Sequence, residues 1–410
     1  MRLLSCFLFI SQIFTLFLSS EAQDISYASE AQDISYAHKI IDTLASPSMH
    51  GRGYVQSGDK IAANYLLSQF KKLHLDSFKG GYFQNFSFAV NTFPSVVKVK
   101  VGNKELIPGK DFIVHADCPS VKGNFEIADS LEYLSEAVSS KKFYLLNRET
   151  KSPGKPGGLI FIKKKLTWDV ATQIAPFCSI ELLDSAQPLK SKKISVEINS
   201  RLIKNYKTQN ILAYIKGSQY PDSFIVFTAH YDHLGQMGED VYFPGANDNA
   251  SGCAMLLNLA RHYSGCGTSC SIVFIAFGAE EAGLIGSKYY VEHPVFSLKE
   301  IKFLINLDLL GTGDEGIGVV NGSIYKKELD ALVQINKQKQ YLSVIKIRGK
   351  AANSDHYFFT EKGVKSFFIY TLGGIKAYHD IYDKPETLPL TKFEGVFGLL
   401  TDFTNYLQKN

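Results

Sequence analysis

The sequence predicts an α/β fold in three layers (α/β/α), with helices on both faces of a mostly parallel sheet and a mainly β inserted domain. Three observations lead there. From about residue 208 onward, runs of strand length alternate with helix-patterned stretches, the order that gives a parallel sheet covered on both sides. The run at 271–277, SIVFIAF, is apolar without alternation, as a strand buried on both faces requires. Between 86 and 205 the texture changes to short alternating runs (VVKVKVG, GLIFIKK, KISVEIN) separated by turns such as SPGKPGG. That is a β pattern of roughly 120 residues, the size of a small domain.

In chain order, residues 1–22 read as a signal peptide. Arg2 supplies the positive start, 3–18 is largely apolar, and Ser20-Glu21-Ala22 offers small residues for cleavage. The competing reading is an uncleaved anchor, but the apolar run falls short of the roughly 20 residues a spanning helix needs. No later segment looks transmembrane, so the expected location is exported, periplasmic or extracellular, with no membrane span after cleavage. Residues 20–28 and 29–37 are identical copies of SEAQDISYA, and 23–37 reads as a duplicated, loose leader. From 38 to about 83, Ile61, Tyr65, Leu66, Phe70 and Leu73 recur at helix spacing. After the β-rich stretch, strands are expected at 223–229, 271–277, 303–307, 343–347 and 366–370. Helices are expected at 250–263, 286–292, 325–340 and 391–407.

Composition narrows the classes. Hydrophobic residues make up 45% and charged residues 20% of the 410, so a large core is available. A net charge of +4 with scattered lysines gives no nucleic-acid footprint. Losing Cys6 with the leader leaves five cysteines, and export permits disulfides. Cys266 with Cys270, and Cys118 with Cys178, are the candidate pairs. Cys253 falls on a helix pattern and reads as a small buried hydrophobe.

The chemistry is concentrated in the segments AHYDHLG, PGANDNASG, FGAEEAGLIGS, INLDLLG and AYHDIYDKPETL. They carry His230, Asp248, Glu280–Glu281, Asp308 and His379. Imidazole and carboxylate around a borderline-soft cation make a hydrolytic metal centre, most often zinc. A further carboxylate beside it can act as general base. His230, Glu280–Glu281 and Asp308 each lie at or just past the end of an expected strand, and ligand sites in open α/β sheets form outside those ends. Asp248 and His379 lie in loops able to reach the same edge.

Taken singly, each has a structural alternative. Asp248 suits a turn or N-cap. Glu280 and Glu281 suit a first helical turn, although two adjacent carboxylates after IVFIAF are awkward without a cation. Asp308, inside FLINLDLLG, needs a partner. His379 alone is as suited to packing as to ligation. Asp232 can supply the acceptor that fixes the His230 tautomer. His233 reads as a rim or supporting residue. Asp355 and His356 either support the pocket or start a helix.

With these residues in view, the chain resembles the zinc-dependent aminopeptidases of peptidase family M28. The matching pieces are His230-Tyr231-Asp232, GANDNASG at 245–252, Glu280-Glu281 with GLIGS at 283–287, Asn306-Leu307-Asp308, Ser354-Asp355-His356 and Tyr378-His379. Met49-His50-Gly51-Arg52-Gly53 resembles the family's N-terminal region. The resemblance covers about 38–85 and 208–410. It implies an α/β/α sandwich around a mixed, mostly parallel sheet formed by 38–85 and 206–410, with 86–205 as a protease-associated-like insert. It implies two Zn2+ per chain: Asp248 bridging, His230 and Asp308 on one ion, Glu281 and His379 on the other. Glu280 would be the general base and Asp232 would orient His230. The substrates would be peptides with a free N-terminus. AYHDIYDKPETL departs from the family's shorter His-to-Thr spacing. The alternatives are a glutaminyl cyclase-like zinc acyltransferase and a non-catalytic binding module on the same fold.

Overall fold

The computed structural model describes residues 34–135, 138–146, 154–186 and 191–410; the expected signal peptide, and the leader as far as residue 33, lie outside the described residues. Helix α1 (Ile34–Leu44) buries Ala37, Ile40, Ile41 and Leu44, the i, i+3, i+4, i+7 stripe of an amphipathic helix. Residues 34–37, read from the sequence as leader, are therefore the first turn of a packed helix. The Arg261 guanidinium lies over the Tyr36 ring at 5.1 Å. A tight turn at Pro47–Arg52 separates α1 from α2 (Gly58–Lys72). The helical pattern read across 38–83 is thus broken at Pro47 and where the chain passes close to a second segment. A Cβ on Gly53 would collide with the Gly235 backbone.

Strand β1 (Phe83–Thr92) is followed by β2 (Val97–Val101), β3 (Lys104–Leu106), β4 (Phe112–Val114), β5 (Val121–Ala128), α3 (Ser130–Leu134), β6 (Lys142–Leu146), β7 (Gly158–Lys163), β8 (Cys178–Leu183) and β9 (Lys193–Ile198). The chain returns through β10 (Arg201–Ile215) and β11 (Tyr220–His230). Then come α4 (Gly252–Ser264), β12 (Cys270–Phe277), α5 (Ile285–Glu292), β13 (Ile301–Leu307), β14 (Ile317–Val320), α6 (Lys326–Lys339), β15 (Ile345–Ile347), α7 (His356–Glu361), β16 (Ser366–Thr371) and α8 (Phe393–Lys409).

The first sheet has the order β1-β10-β12-β11-β13-β16-β14-β15. Its centre, β12-β11-β13-β16, is parallel, while β1, β10 and β14 join antiparallel. Alternate side chains feed opposite faces. Ile225, Phe227, Ile272, Phe274, Phe303 and Ile305 pack with α1, α2, α4, α6 and α8. Val226, Val273, Ile275 and Leu304 pack with α5 and α7. That is the expected three-layer sandwich. The second sheet, β3-β2-β9-β5-β6-β7-β8-β4, has its own core around Val99, Phe112, Ile160, Ile180 and Val196, which continues into Leu234, Met237 and Phe243 of the segment after β11.

Sheet membership differs from the sequence grouping at two places. Residues 86–92 and 201–205, read with the β-rich stretch, pair with each other in the first sheet, from Phe83 opposite Ile211 to Thr92 opposite Arg201. Alternation reads alike in either sheet, so pattern alone cannot assign them. The strand at Ile317–Val320 was not expected; it is four residues long, at the lower limit of the runs that read as strands. All five described cysteines are free thiols. The Cys118 and Cys178 sulfurs face each other at 2.7 Å, whereas Cys266 is exposed and Cys270 is buried at the start of β12. Cys253 is buried, as expected. Among the described residues no helix is long and apolar enough to cross a membrane.

Candidate metal centre

The centre of the first sheet explains how three segments meet. β11 has β12 on one side and β13 on the other, so the chain reverses its direction of strand addition beside β11, and a crevice opens at the carboxyl ends. His230 is the last residue of β11, Asp308 directly follows β13, and Glu280–Glu281 follow β12 after a turn in which Ala279 has φ +57°. The two carboxylates are therefore in a turn rather than a helix. Asp232 holds that turn: its Oδ1 accepts from the Glu280 N–H (3.0 Å) and its Oδ2 from the Glu281 N–H (3.3 Å) and the Tyr54 hydroxyl (2.9 Å). Asp308 Oδ2 accepts from Ser354 Oγ at 2.9 Å, and Ser354 in turn accepts from Asn306 at 2.8 Å.

Asp248 and His379 arrive on loops, and each needs outside support. The Asp248 loop is gripped from both sides. Arg52, fully buried, spends its guanidinium on backbone carbonyls: Tyr231 (2.9 Å), Leu44 (2.9 Å), Pro244 (2.7 Å), Gly245 (2.7 Å) and Asp248 (3.1 Å). Asp383 accepts from the Asn247 N–H at 2.8 Å and the Asp248 N–H at 3.0 Å. His379 sits in the left-handed region with φ +53°, and its Nδ1 lies 3.2 Å from Asp169 Oδ1.

The five expected ligands come together. His230 Nε2 is 3.2 Å from Asp248 Oδ1 and 3.4 Å from Asp308 Oδ1. His379 Nε2 is 3.2 Å from Asp248 Oδ2 and 3.1 Å from Glu281 Oε2. Donor atoms of His230, Glu280 and Asp308 lie within 4.8 Å of one another, as do those of His230, Asp248 and Glu281. Two ligand atoms on one tetrahedral zinc stand roughly 3.3–3.6 Å apart, given bonds of about 2.0–2.2 Å. The observed spacings are close to that edge length. Asp308 Oδ1 is buried without a hydrogen bond, as an atom reserved for a cation would be. Both donor type and spacing fit zinc.

The electrostatics agree. Burial pulls the His230 imidazole down, but Glu280, Asp308 and Asp248 outweigh it and hold it well above its ordinary value. Burial opposes ionisation of Asp248, yet His230 and His379 hold it well below the carboxylate range. Glu281 is drawn to about 2 by His379 and His233 against burial and Asp248. Glu280 is pushed well up by burial and by the carboxylates of Asp355, Glu281 and Asp308. The five candidate ligands and Glu280, with Leu309, Asn353, Phe368, Tyr370 and Tyr378, line a cavity of about 310 Å³.

One expectation changes in detail. Asp232 was expected to orient His230 through its carboxylate, but that oxygen is 3.9 Å from Nδ1. The nearer acceptor is the Asp232 backbone carbonyl, at 3.2 Å, because the carboxylate is taken by the Glu280–Glu281 turn. His233 supports the site: its Nδ1 is 2.6 Å from Glu281 Oε1. Asp355 is buried near the centre, its carboxyl pushed to about 7 by burial and by Asp232 and Asp308 against the pull of His230. His356 starts α7, held down to about 4 by burial. Sequence reasoning missed Arg52, Asp383 and Asp169 as supports. The signals were Arg52 inside Met49-His50-Gly51-Arg52-Gly53 and Asp383 inside AYHDIYDKPETL; Asp169 had none.

The fold is shared with solved structures along nearly the whole chain. BSAP, a zinc aminopeptidase from Bacillus subtilis, superposes with TM-score 0.70 at 20% identity, covering 91% of this chain and 94% of that one. A peptidase M28 precursor from Shewanella amazonensis gives 0.70 at 14% identity over 94% and 95%. A family resemblance comes from the sequence itself. Residues 210–403 match peptidase family M28, and this segment holds all five candidate ligands and Glu280. Aminopeptidase YwaD of Bacillus subtilis is 32% identical over 201 residues, 47% of this chain and 41% of that protein. A "Probable zinc metalloprotease" of Pyricularia oryzae is 34% identical over 123 residues, 29% of this chain and 24% of that protein. The chain thus spans less than half the length of these curated relatives.

Proposed function

We propose that this protein is an exported di-zinc aminopeptidase that removes N-terminal residues from peptides. The observation that carries the reading is the two-sided placement of Asp248, which turns Oδ1 to His230 and Oδ2 to His379, each at 3.2 Å. A carboxylate so placed suits two cations. His230, Asp308 and Asp248 would hold one, and Glu281, His379 and Asp248 the other. Zinc bound there would polarise the scissile carbonyl and make water acidic enough to give up a proton near neutral pH.

The chain's own residues supply the rest. Glu280 is half-buried beside the His230–Asp308 half, and its raised proton affinity suits it to take the water proton and return it to the leaving amine. Asp232 fixes the backbone on which Glu280 stands. The cavity has the volume for a single terminal side chain against Phe368, Tyr370 and Tyr378, and its acidic lining favours a free α-amine. Export rests on the signal-like pattern at residues 1–22.

The test is zinc quantification on the purified chain, paired with free and N-blocked aminoacyl substrates. Two zinc ions per chain, and cleavage of the free substrates only, are expected. Cyclisation of an N-terminal glutamine without release of amino acid would replace this reading with the cyclase, and a zinc-free chain would replace it with the binding module.

A further inference from the structure

We propose that the connection between β7 and β8 of the second sheet positions the His379 arm of the metal centre, with Asp169 fixing the imidazole tautomer. The inference rests on the reading of His379 as a zinc ligand. Nε2 is the atom that faces Asp248 and Glu281, so its lone pair must be free and the ring proton must sit on Nδ1. A neutral imidazole takes that form when an acceptor meets Nδ1. Asp169 Oδ1 is there, at 3.2 Å.

Asp169 does not act alone. The segment around it is stitched along the loop that carries His379. Lys165 Nζ donates to the carbonyls of Lys376 (2.8 Å) and Tyr378 (3.1 Å) and pairs with Asp380 at 3.2 Å. The Trp168 N–H donates to the His379 carbonyl at 2.8 Å. This matters because φ +53° at His379 is unfavourable for a residue with a Cβ, by roughly 1–2 kcal/mol, and the surroundings must hold it. The connection is itself anchored. The buried Trp168 indole donates to the Val114 carbonyl at 2.7 Å and stacks on Phe243 at 4.7 Å. Beyond it, the Ala171 carbonyl accepts from the Asn91 N–H at 2.8 Å.

The two histidines differ in this respect. His230 finds its Nδ1 acceptor two residues away in its own turn, while His379 finds it 210 positions away in the second sheet. The second sheet therefore completes one half of the metal centre. Asp169 is 78% exposed, so its contact contributes little to folding and can be removed cleanly.

The test compares the full chain with Asp169→Ala and Asp169→Asn, titrating each with a graded chelator while reading residual zinc, and recording the spectrum of the cobalt-substituted forms. Asp169→Ala is expected to release one of the two zinc ions about 10- to 100-fold more readily, with an altered cobalt spectrum and, in the metal-free chain, an unchanged unfolding midpoint. Asp169→Asn, whose amide oxygen still accepts from Nδ1, is expected to recover most of that loss. A wild-type chain holding two zinc ions, with Asp169→Ala holding both as tightly, overturns the positioning role and leaves the proposed function standing. A wild-type chain that binds no zinc overturns the proposed function and this inference with it.

Discussion

The two halves of the candidate metal centre are held by different means. His230, Glu280–Glu281 and Asp308 stand at the ends of β11, β12 and β13, and the parallel register of those strands fixes where they go. Their remaining supports, Asp232, His233 and Ser354, lie in segments that adjoin the crevice. Asp248 and His379 stand on loops with no such register. They depend on Arg52, Asp383 and the β7–β8 connection, none of which touches a reacting group. A strand-borne ligand inherits its position from the core, and a loop-borne ligand needs dedicated polar contacts to be placed at all.

That contrast can be broken by removing one support from each half. Arg52→Met is the largest expected effect. It strips five buried carbonyls of their donor and should cost on the order of 3–5 kcal/mol in denaturant unfolding, with loss of zinc. Ser354→Ala removes one donor from Asp308 and should cost about 1 kcal/mol, with zinc retained. Equal costs would erase the distinction between the halves.

A pH experiment of intermediate size sharpens it. Asp59 ties down the segment that carries Arg52 and Tyr54, its N–H donating to the Gly53 carbonyl at 2.9 Å and its carboxylate accepting from Tyr206 (2.5 Å) and Thr208 (2.8 Å). Burial raises its carboxyl from 3.8 to about 6, against those hydrogen bonds. The folded state therefore binds this proton more tightly than the unfolded chain. As pH rises from about 4 through about 6 the unfolded state gives up its proton first, and stability falls by up to about 3 kcal/mol. Asp59→Asn abolishes the titration, so its melting temperature relative to wild type should be higher at pH 7 than at pH 4. A pH-independent difference would show that Asp59 is not the group responsible.

The same contrast governs what could be read from the sequence. The strands at 223–229, 271–277 and 303–307 were legible because an apolar run of strand length ending in a polar residue is a local pattern, and the ligands came with them. Asp248 and His379 were visible as residue types, but their supports were not. The Arg52 carbonyl partners reach from Leu44 to Asp248, and the His379 partner lies in the other sheet. Nothing near Asp169 in the chain marks it as a histidine partner. Asp232 shows the limit from the other side: its neighbourhood suggested the His230 ring, and the fold gave its carboxylate to a turn 48 positions away.

Glu280→Gln, assayed for zinc and for turnover on the same preparation, tests the division between metal-holding and proton-handling residues most directly. The expected result is two zinc ions retained, with kcat lower by about 10²- to 10⁴-fold. Turnover near the wild-type value, or zinc lost together with activity, would contradict Glu280 as the base and the separation of roles at this centre.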